Sequence, residues 1–436
     1  MAENENENDK ILEAVVCPFC ACLCDDLVIS VDIAKNRIKE IRNACTVGVE
    51  KFHALHKEGR VRKTRIDGKE TDYDTAIEKA LDILKAAKKP LIYGLSNSGY
   101  NAQRVALEIA KRKRGVFDFP ESIYHALLYR ELRKGKNNFY FALLDEIRDN
   151  ANVVIYWGAN PIEVHPRHLS RYSVYPAGRY ALRGVMDREL ITIDVADSEL
   201  KEISRWYLPV KPGDARKLAE VMTQLIKGEP NVLREPIADG IDFDDITKLA
   251  ARLKKAFYGV IFLGYDVLLS HEAGSEFVEA IFALVDALNN AGAKFVLFPM
   301  NGHFNVMGTV QLLLRETGYP SAVDFSRDRM LEHDNRTADV LDEIDAALIV
   351  GADSSFTKEE AKRLCDVPVI LIDPFETLTT LVSSVVFPAA VTGVEAEEVA
   401  YRMDGLPLKL DKILDCEYQS EKEILERIYK GLVEKK

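Results

Sequence analysis

Seven short apolar segments recur along the chain, and each except one ends in glycine or aspartate. They are 91–94, 153–158, 190–194, 260–264, 295–299, 347–351 and 369–373. Each reads as a strand buried on both faces. Stretches with apolar residues at helical spacing lie between them, such as 74–87, 103–113, 215–226 and 274–291. Strands that alternate with helices predict the α/β class, with parallel sheets covered by helices on both faces.

Five of the seven cysteines lie close together near the N-terminus. Cys17, Cys20 and Cys24 are separated by two and three residues, so one loop can turn three thiols toward a common centre. Cys45 can return as the fourth from the end of a predicted hairpin. A local group plus one distant cysteine is typical of a four-iron cluster. Zinc more often takes two close pairs, and a disulfide framework is expected in secreted chains. Cys22 is a bystander or a rival ligand.

The length and the net charge of the chain exclude several classes of protein. A chain of 436 residues is long enough to form more than one core. No apolar run approaches the roughly 20 residues of a membrane-spanning helix. The acidic segment 1–10 lacks an apolar signal core and is expected to be a disordered tail. The net charge of -12 argues against a nucleic-acid groove, and the thiols favour a reducing cytoplasm.

Polar residues follow several of the predicted strands, where ligands of open α/β sheets bind. Histidines and arginines after the second apolar segment suit an anionic ligand such as a pyrophosphate. A later histidine, with an unperturbed pKa of about 6.5, suits proton transfer. Hydrogen-bonded or core-packed histidines are the alternative in both cases. The candidate cofactor-binding residues are Gly158, Asn160, His165, Arg167, His168, Asp194, His303 and Asn305.

Five ordered blocks of residues resemble one known family. They are the cysteine run 17–24 with 43–45, the block 156–168, the block 302–308, the pair 318–320 and 324–326, and the block 395–405. Together they resemble the B-type subunit of formylmethanofuran dehydrogenase, a family of the molybdopterin oxidoreductases. The resemblance extends over nearly the whole chain.

The resemblance implies a fold, a domain layout and cofactors. The fold is an N-terminal iron-sulfur cluster domain followed by doubly wound parallel-sheet domains of the molybdopterin oxidoreductase type. Those domains enclose a molybdenum or tungsten bis-pyranopterin guanine dinucleotide. One 4Fe-4S cluster is implied on Cys17, Cys20, Cys24 and Cys45. The expected layout is the tail 1–10, a cluster domain 11–65, the first part of the α/β domain 66–200, a Rossmann-like domain 201–380 and a C-terminal segment 381–436 that closes the cleft.

The resemblance also implies a reaction and partners. The reaction is the reduction of carbon dioxide to formate and formyl-methanofuran, or its reverse. The implied partners are an amidohydrolase-like subunit and ferredoxin-like subunits with further iron-sulfur clusters. Neither a nucleic-acid partner nor a membrane span is expected.

The sequence departs from the family at the pterin site. The family places a metal-binding cysteine or selenocysteine before a proton-shuttling histidine, and here the matching pair is Tyr124 and His125. A family arginine near the substrate is replaced by Asn301. A phenol, with an ordinary pKa of about 10, forms a metal ligand less readily than a thiol. His125 is therefore the candidate catalytic residue, and Tyr124 and Asn301 are expected to be inactive.

Two functions follow from this departure. The chain is either a carbon dioxide-reducing subunit with an altered pterin-metal site, or a redox-silent scaffold of a formyltransferase/hydrolase-like complex. In the second case a partner hydrolyses the formyl group.

Overall fold

A computed structural model of the chain describes residues 9–55, 59–133, 141–195, 197–230, 232, 241–264, 267, 274–331, 340, 342–351 and 358–434. The expected disordered tail was 1–10. Its residues 1–8 lie outside the described residues, and residues 9 and 10 begin the first strand. The chain forms two compact units. Unit 1 comprises Met1–Ile123 and His303–Lys436, and unit 2 comprises Tyr124–Gly302.

The strands follow the chain in this order: β1 (Asp9–Val15), β2 (Leu27–Asp32), β3 (Arg37–Arg42), β4 (Thr64–Ile66), β5 (Lys69–Thr71), β6 (Pro90–Gly94), β7 (Val116–Asp118), β8 (Val153–Trp157), β9 (Glu189–Asp194), β10 (Trp206–Pro209), β11 (Gly259–Leu263), β12 (Phe295–Pro299), β13 (Val323–Asp324), β14 (Arg329–Met330), β15 (Ala346–Val350), β16 (Val369–Asp373), β17 (Val385–Pro388), β18 (Glu398–Tyr401) and β19 (Pro407–Leu410). All seven segments predicted as strands form strands, so that prediction is confirmed.

The α-helices are α1 (Thr46–Ala54), α2 (Tyr73–Ala86), α3 (Tyr100–Lys113), α4 (Ser122–Arg133), α5 (Leu144–Asn150), α6 (Pro161–Val164), α7 (Pro212–Lys227), α8 (Phe243–Leu253), α9 (Gly274–Asn290), α10 (Val306–Thr317), α11 (Lys358–Leu364), α12 (Leu378–Val382) and α13 (Glu421–Val433). Local signals explain two of the starts. The side chain of Asp72 accepts from the backbone N–H of Thr75 at the start of α2. Ser420 and Glu423 form a capping box at the start of α13.

Unit 2 contains a five-stranded sheet in the order β10-β9-β8-β11-β12, and all its pairings are parallel. Every residue of β8, β11 and β12 is buried. Such uninterrupted apolar strands are expected where both faces of a parallel sheet are covered.

Unit 1 contains a nine-stranded sheet in the order β14-β13-β7-β6-β15-β16-β17-β4-β5. Its central strands from β7 to β17 pair in parallel, and antiparallel strands form both edges. Neighbouring residues of β15 point to opposite faces: Leu348 joins a core with α2, α3, α10 and α13, and Ile349 joins a second core. The expected mixed α/β class with parallel sheets is therefore confirmed.

A smaller antiparallel sheet, β1-β2-β3, lies at the start of unit 1 and includes the predicted hairpin. The strands β18 and β19 form another hairpin. The boundaries of the two units fall at 123/124 and 302/303, whereas an α/β boundary was expected at 200/201. The difference arises because strands before and after unit 2 join one sheet. No helix among the described residues is long and apolar enough to span a membrane.

Candidate functional site

The cysteine loop connects β1 to β2 in unit 1. The backbone N–H of Cys17 donates to the carbonyl oxygen of Cys24 at 2.8 Å, which joins the two ends of the loop. The N–H of Leu23 donates to the carbonyl oxygen of Cys20 at 3.1 Å, and Leu23 has a φ of 39°. The loop is therefore a closed turn that carries three of the predicted ligands.

Cys45 approaches this loop from the start of α1. It is the N-cap residue of α1, and its Sγ accepts from the backbone N–H of Gly48 at 3.3 Å. A Cβ atom placed on Gly48 would lie 3.5 Å from Sγ of Cys17 and 3.7 Å from Sγ of Cys45. The two sulfur atoms therefore border the same small space.

The thiols influence one another electrostatically. Burial raises the pKa of the Cys17 thiol well above its usual value, and Cys20, Cys24 and Cys45 raise it further. A hydrogen bond from the side chain of Cys22 lowers the pKa of Cys20. The four predicted ligands are therefore neighbours. Among the described residues, no three His, Cys, Asp or Glu side chains are arranged so that they could hold a metal ion.

A cavity of about 320 Å³ adjoins the cysteine loop within unit 1. Phe19 from the loop and Lys51 from α1 line it. The positive charge of Lys51 also lowers the pKa of Cys20, so this lysine lies near both the thiols and the cavity. Residues at or just after the carboxyl ends of three parallel strands also line it, namely Asn97, Gly351 and Asp373. Ligands of α/β sheets bind at such strand ends.

Glu421, in the first turn of α13, also lines the cavity and is buried. Burial raises its pKa to about 8, and the carboxylates of Asp373 and Glu398 add to the effect. The hydroxyl of Thr392 donates to Oε2 of Glu421 at 3.4 Å. At neutral pH this carboxyl group is mostly protonated and can donate a hydrogen bond as well as accept one.

The residues at the family's metal and substrate positions lie in unit 2. Tyr124 is fully buried, and its hydroxyl donates to the carbonyl oxygen of Leu263 at 3.0 Å. Burial raises the pKa of Tyr124 well above its usual value, so the phenol is neutral. Nε2 of His125 donates to Oδ1 of Asn301 at 3.1 Å, and the carbonyl oxygen of Asn301 accepts from His165 at 2.7 Å. The two histidines and Asn301 therefore form one buried network.

His165 and His168 are buried in unit 2 with their ring centroids 6.4 Å apart. Burial lowers the pKa of His165 to about 4 and that of His168 well below its usual value. Nδ1 of His168 accepts from the hydroxyl of Tyr156 at 2.7 Å. Both imidazoles are therefore neutral at pH 7, and Arg167, which carries the positive charge of this segment, is half-buried.

Three other candidates follow strands β8 and β9 in unit 2. Gly158 has a φ of 59°, and a Cβ atom there would lie 1.7 Å from Val267, so only glycine fits. The side chain of Asn160 accepts from the N–H of Ile162 at 3.1 Å and begins α6. The carboxylate of Asp194 accepts from the N–H of the next residue at 2.7 Å. Each has a local structural role.

The last two candidates lie in unit 1. Asn305 is fully buried, donates to the carbonyl oxygen of Ser98 at 2.7 Å and accepts from the N–H of Tyr401 at 2.8 Å. It therefore joins three separate segments. The side chain of His303 is 34% exposed, and Nδ1 donates to a carboxylate oxygen of Glu121.

Sequence reasoning missed three residues of these sites, Glu121, Lys51 and Glu421. No local pattern marks a residue whose partner is distant in the chain. The sequence could have indicated two of them only by their position in the chain. Glu121 follows a strand, and Lys51 lies about one and a half helical turns after Cys45.

Comparisons with known proteins give close sequence relatives. The B-type subunit of tungsten-containing formylmethanofuran dehydrogenase 2 of Methanococcus maripaludis is 34% identical over 443 residues, covering 98% of this chain and 100% of the relative. The protein of the same description in Methanocaldococcus jannaschii is 36% identical over 420 residues, covering 93% of this chain and 94% of the relative. No model of a protein family matches the chain.

Two solved structures share the fold. A chain of the formyltransferase/hydrolase complex from Methylorubrum extorquens, in complex with methylofuran, has a TM-score of 0.65 at 23% identity. That match covers 85% of this chain and 98% of the other. Acetylene hydratase from Pelobacter acetylenicus has a TM-score of 0.72 at 13% identity and covers 97% of this chain and 69% of the hydratase. At these identities the likeness concerns the fold alone.

Proposed function

The chain belongs to the family of B-type subunits of formylmethanofuran dehydrogenase, and from this premise we propose that it performs the formate-forming redox step of the complex. As a B-type subunit it is part of an oxidoreductase complex. The proposed step is the reduction of carbon dioxide to formate, which a partner subunit then condenses with methanofuran, or the reverse. We further propose amidohydrolase-like and ferredoxin-like partner subunits.

The proposed cofactor in unit 1 is a 4Fe-4S cluster on Cys17, Cys20, Cys24 and Cys45. The proposal is supported by the type and number of the donors, four thiols, and by backbone N–H groups that point at three of the sulfur atoms. Phe19 donates to Cys17, Cys22 to Cys20 and Gly48 to Cys45. Hydrogen bonds of this kind tune the potential of iron-sulfur clusters. When bound, the cluster supplies one-electron transfer.

The observation that carries the proposal is the position of Lys51. This lysine lowers the pKa of Cys20 and lines the cavity at the strand ends. A cofactor in the cavity would therefore lie next to the cluster. The aromatic ring of Phe19 and the carboxyl groups of Asp373 and Glu421 suit a flat heterocycle with N–H donors, such as a pterin or guanine. We propose that this cavity holds part of the pyranopterin guanine dinucleotide.

Tyr124 does not fit the role of the metal ligand. Its phenol is buried, neutral and donates to a backbone carbonyl group. We propose that Tyr124 supports the fold and that any bound molybdenum or tungsten takes no ligand from it. The same observation favours the second candidate function, in which the chain is a redox-silent scaffold of a formyltransferase/hydrolase-like complex.

Metal analysis of the purified complex separates these functions. We expect about four iron atoms per chain in addition to the iron of the ferredoxin-like subunits, and zinc in their place would contradict the cluster. Tungsten or molybdenum near one atom per chain supports the redox function, and a complex with iron and without either metal supports the scaffold.

The variant Tyr124→Cys provides a second comparison. If the pterin cavity has been lost, restoring the thiol brings no gain of metal or activity. A gain of either would show that only the ligand is missing.

A further inference from the structure

A short loop of unit 2 carries several exposed apolar side chains. The loop comprises residues 175–187 and precedes β9. Leu182 is 78% exposed and Met186 is 74% exposed, and Tyr175, Tyr180 and Val185 are each at least 40% exposed. Single exposed apolar residues are normal on a protein surface, whereas several within one loop form a patch that calls for a partner.

The exposed surface continues from the loop to the residues after α8. The ring of Tyr180 stacks on the ring of Phe257, with the two centroids 5.3 Å apart and 19° between the ring planes. Phe257 is itself 68% exposed. Two segments that are distant in the chain therefore contribute to one surface. We call this surface the apolar patch, and its members are Tyr175, Tyr180, Leu182, Val185, Met186 and Phe257.

The backbone of the loop is held in place although its side chains are exposed. The buried guanidinium group of Arg188 donates to the carbonyl oxygens of Pro176 and Ser173 at 3.0 and 2.7 Å. A Cβ atom on Gly184 would lie 2.2 Å from the carbonyl oxygen of Tyr175, so the loop packs closely on itself. The patch is therefore ordered before a partner binds, which lowers the entropic cost of association.

Three cations lie beside the apolar patch. Arg179 is exposed within the loop, and its guanidinium carbon lies 5.9 Å from the centre of the Tyr180 ring. Lys254 and Lys255 are exposed shortly before Phe257 in the chain. The nearby carboxylates in this part of unit 2 pair with other arginines.

These pairs leave the positive charges beside the patch available. Asp187 pairs with Arg183, and Asp149 pairs with Arg148. None of the ion pairs between the described residues includes Arg179 or the two lysines. The border of the patch is therefore basic, although the net charge of the chain is -12. An acidic surface of a partner is complementary to such a border.

The same charges disfavour a second copy of this chain as the partner. In a dimer with two-fold symmetry the patch would face itself, so the cations of one copy would approach those of the other. Like charges that face each other across an interface cost free energy and select against that partner.

We propose that the apolar patch is the docking surface for another subunit of the complex, whose contact face carries apolar side chains bordered by aspartate and glutamate. This inference holds for either candidate function, because both place the chain in a complex of several subunits. The apolar patch supplies the dry centre of the interface, where aromatic residues and methionine are enriched. Arg179, Lys254 and Lys255 supply its charged rim.

Carbodiimide cross-linking of the purified complex identifies the partner. The reagent joins a lysine amine to a carboxylate in direct contact with it, and mass spectrometry of the peptides locates the link. We expect Lys254 or Lys255 to be linked to an aspartate or glutamate of another subunit. Links to a second copy of this chain would overturn the proposal. Equal acetylation of both lysines in the complex and in the purified full chain would also overturn it.

A double variant, Leu182→Ser with Met186→Ser, tests the apolar centre. Both side chains are mostly exposed, so the fold should be retained, which circular dichroism checks. The complex is purified through a tag on another subunit, and native mass spectrometry during dilution gives the apparent Kd of this chain. We expect that Kd to rise about tenfold or more. The control is Ile33→Ser, at an apolar residue 59% exposed in the β2–β3 turn, with a change within about twofold.

The double variant Lys254→Glu with Lys255→Glu tests the rim. We expect the apparent Kd to rise about tenfold at about 0.1 M salt and to approach the wild-type value at about 1 M salt, where screening is strong. A change that does not depend on salt, or no change, would overturn the acidic partner face.

The failure of this inference differs from that of the proposed function. An unchanged Kd in Leu182→Ser with Met186→Ser, or an equal rise in Ile33→Ser, would overturn the docking surface. A complex that gives the expected cross-links and Kd values but does not oxidise formate would overturn only the proposed redox step.

Discussion

The buried carboxyl group of Glu421 makes the stability of this protein depend on pH. Burial raises its pKa from 4.5 to about 8. The folded state therefore binds more protons than the unfolded state between these values, and stability falls as the pH rises through this window. The unfavourable contribution is complete only above the folded pKa. Glu421→Gln removes it, because the amide has a similar shape and cannot ionise.

The magnitude follows from the shift in pKa. One unit corresponds to about 1.36 kcal/mol, so the full shift is worth about 5 kcal/mol above pH 8. At pH 7 the same linkage gives about 3 kcal/mol, and at pH 5 it gives less than about 1 kcal/mol. We therefore expect Glu421→Gln to be more stable than the wild type, by an amount that increases from pH 5 to pH 9.

Urea unfolding of the purified chain at pH 5, 7 and 9, followed by far-ultraviolet circular dichroism, measures this difference. Glu426→Gln is the matched control, because Glu426 is exposed on the same helix. Its effect should stay within about 0.5 kcal/mol at each pH. A constant difference between Glu421→Gln and the wild type across the three pH values would refute the argument from burial.

Other variants test the remaining features. Cys45→Ala should lower the iron content of the complex by about four atoms per chain, whereas Cys365→Ala, at an exposed cysteine, should leave it unchanged when both are measured by metal analysis. Tyr124→Phe should lower the free energy of unfolding by about 1 kcal/mol, because the carbonyl group of Leu263 loses its partner, while the metal content stays the same. Lys51→Met should lower the reduction potential of the cluster in an EPR-monitored titration, since it removes a positive charge close to the thiols.

The strands could be predicted because their signal is local. Each of β8, β11 and β12 is a continuous run of buried apolar residues, and that pattern depends only on adjacent positions. The sheet to which a strand belongs depends on pairing between distant segments. β6 and β15 are neighbours in unit 1 although more than 200 residues separate them in the sequence, and no local pattern indicates that pairing.

In the candidate site, too, the features that depend on local spacing could be predicted, and those that depend on distant contacts could not. The spacing of Cys17, Cys20 and Cys24 identified a loop with clustered thiols, and the structure has such a loop. The charge state of the histidines could not be inferred in this way. His165 was expected to suit an anion, but its environment lowers its pKa to about 4. The pKa shift caused by desolvation depends on all the atoms that surround a group. Those atoms come from distant parts of the chain and cannot be identified from the sequence alone.

By itself, the sequence determined the class of fold, the family and the positions of the clustered cysteines, because these depend on short spacings and on residue order. Only the tertiary structure decided that Tyr124 is a neutral buried phenol, that Lys51 lies near both the thiols and the cavity, and that Glu121 orients His303. Burial, charge and hydrogen bonding arise from contacts between residues far apart in the chain. They exist only once those residues have been brought together.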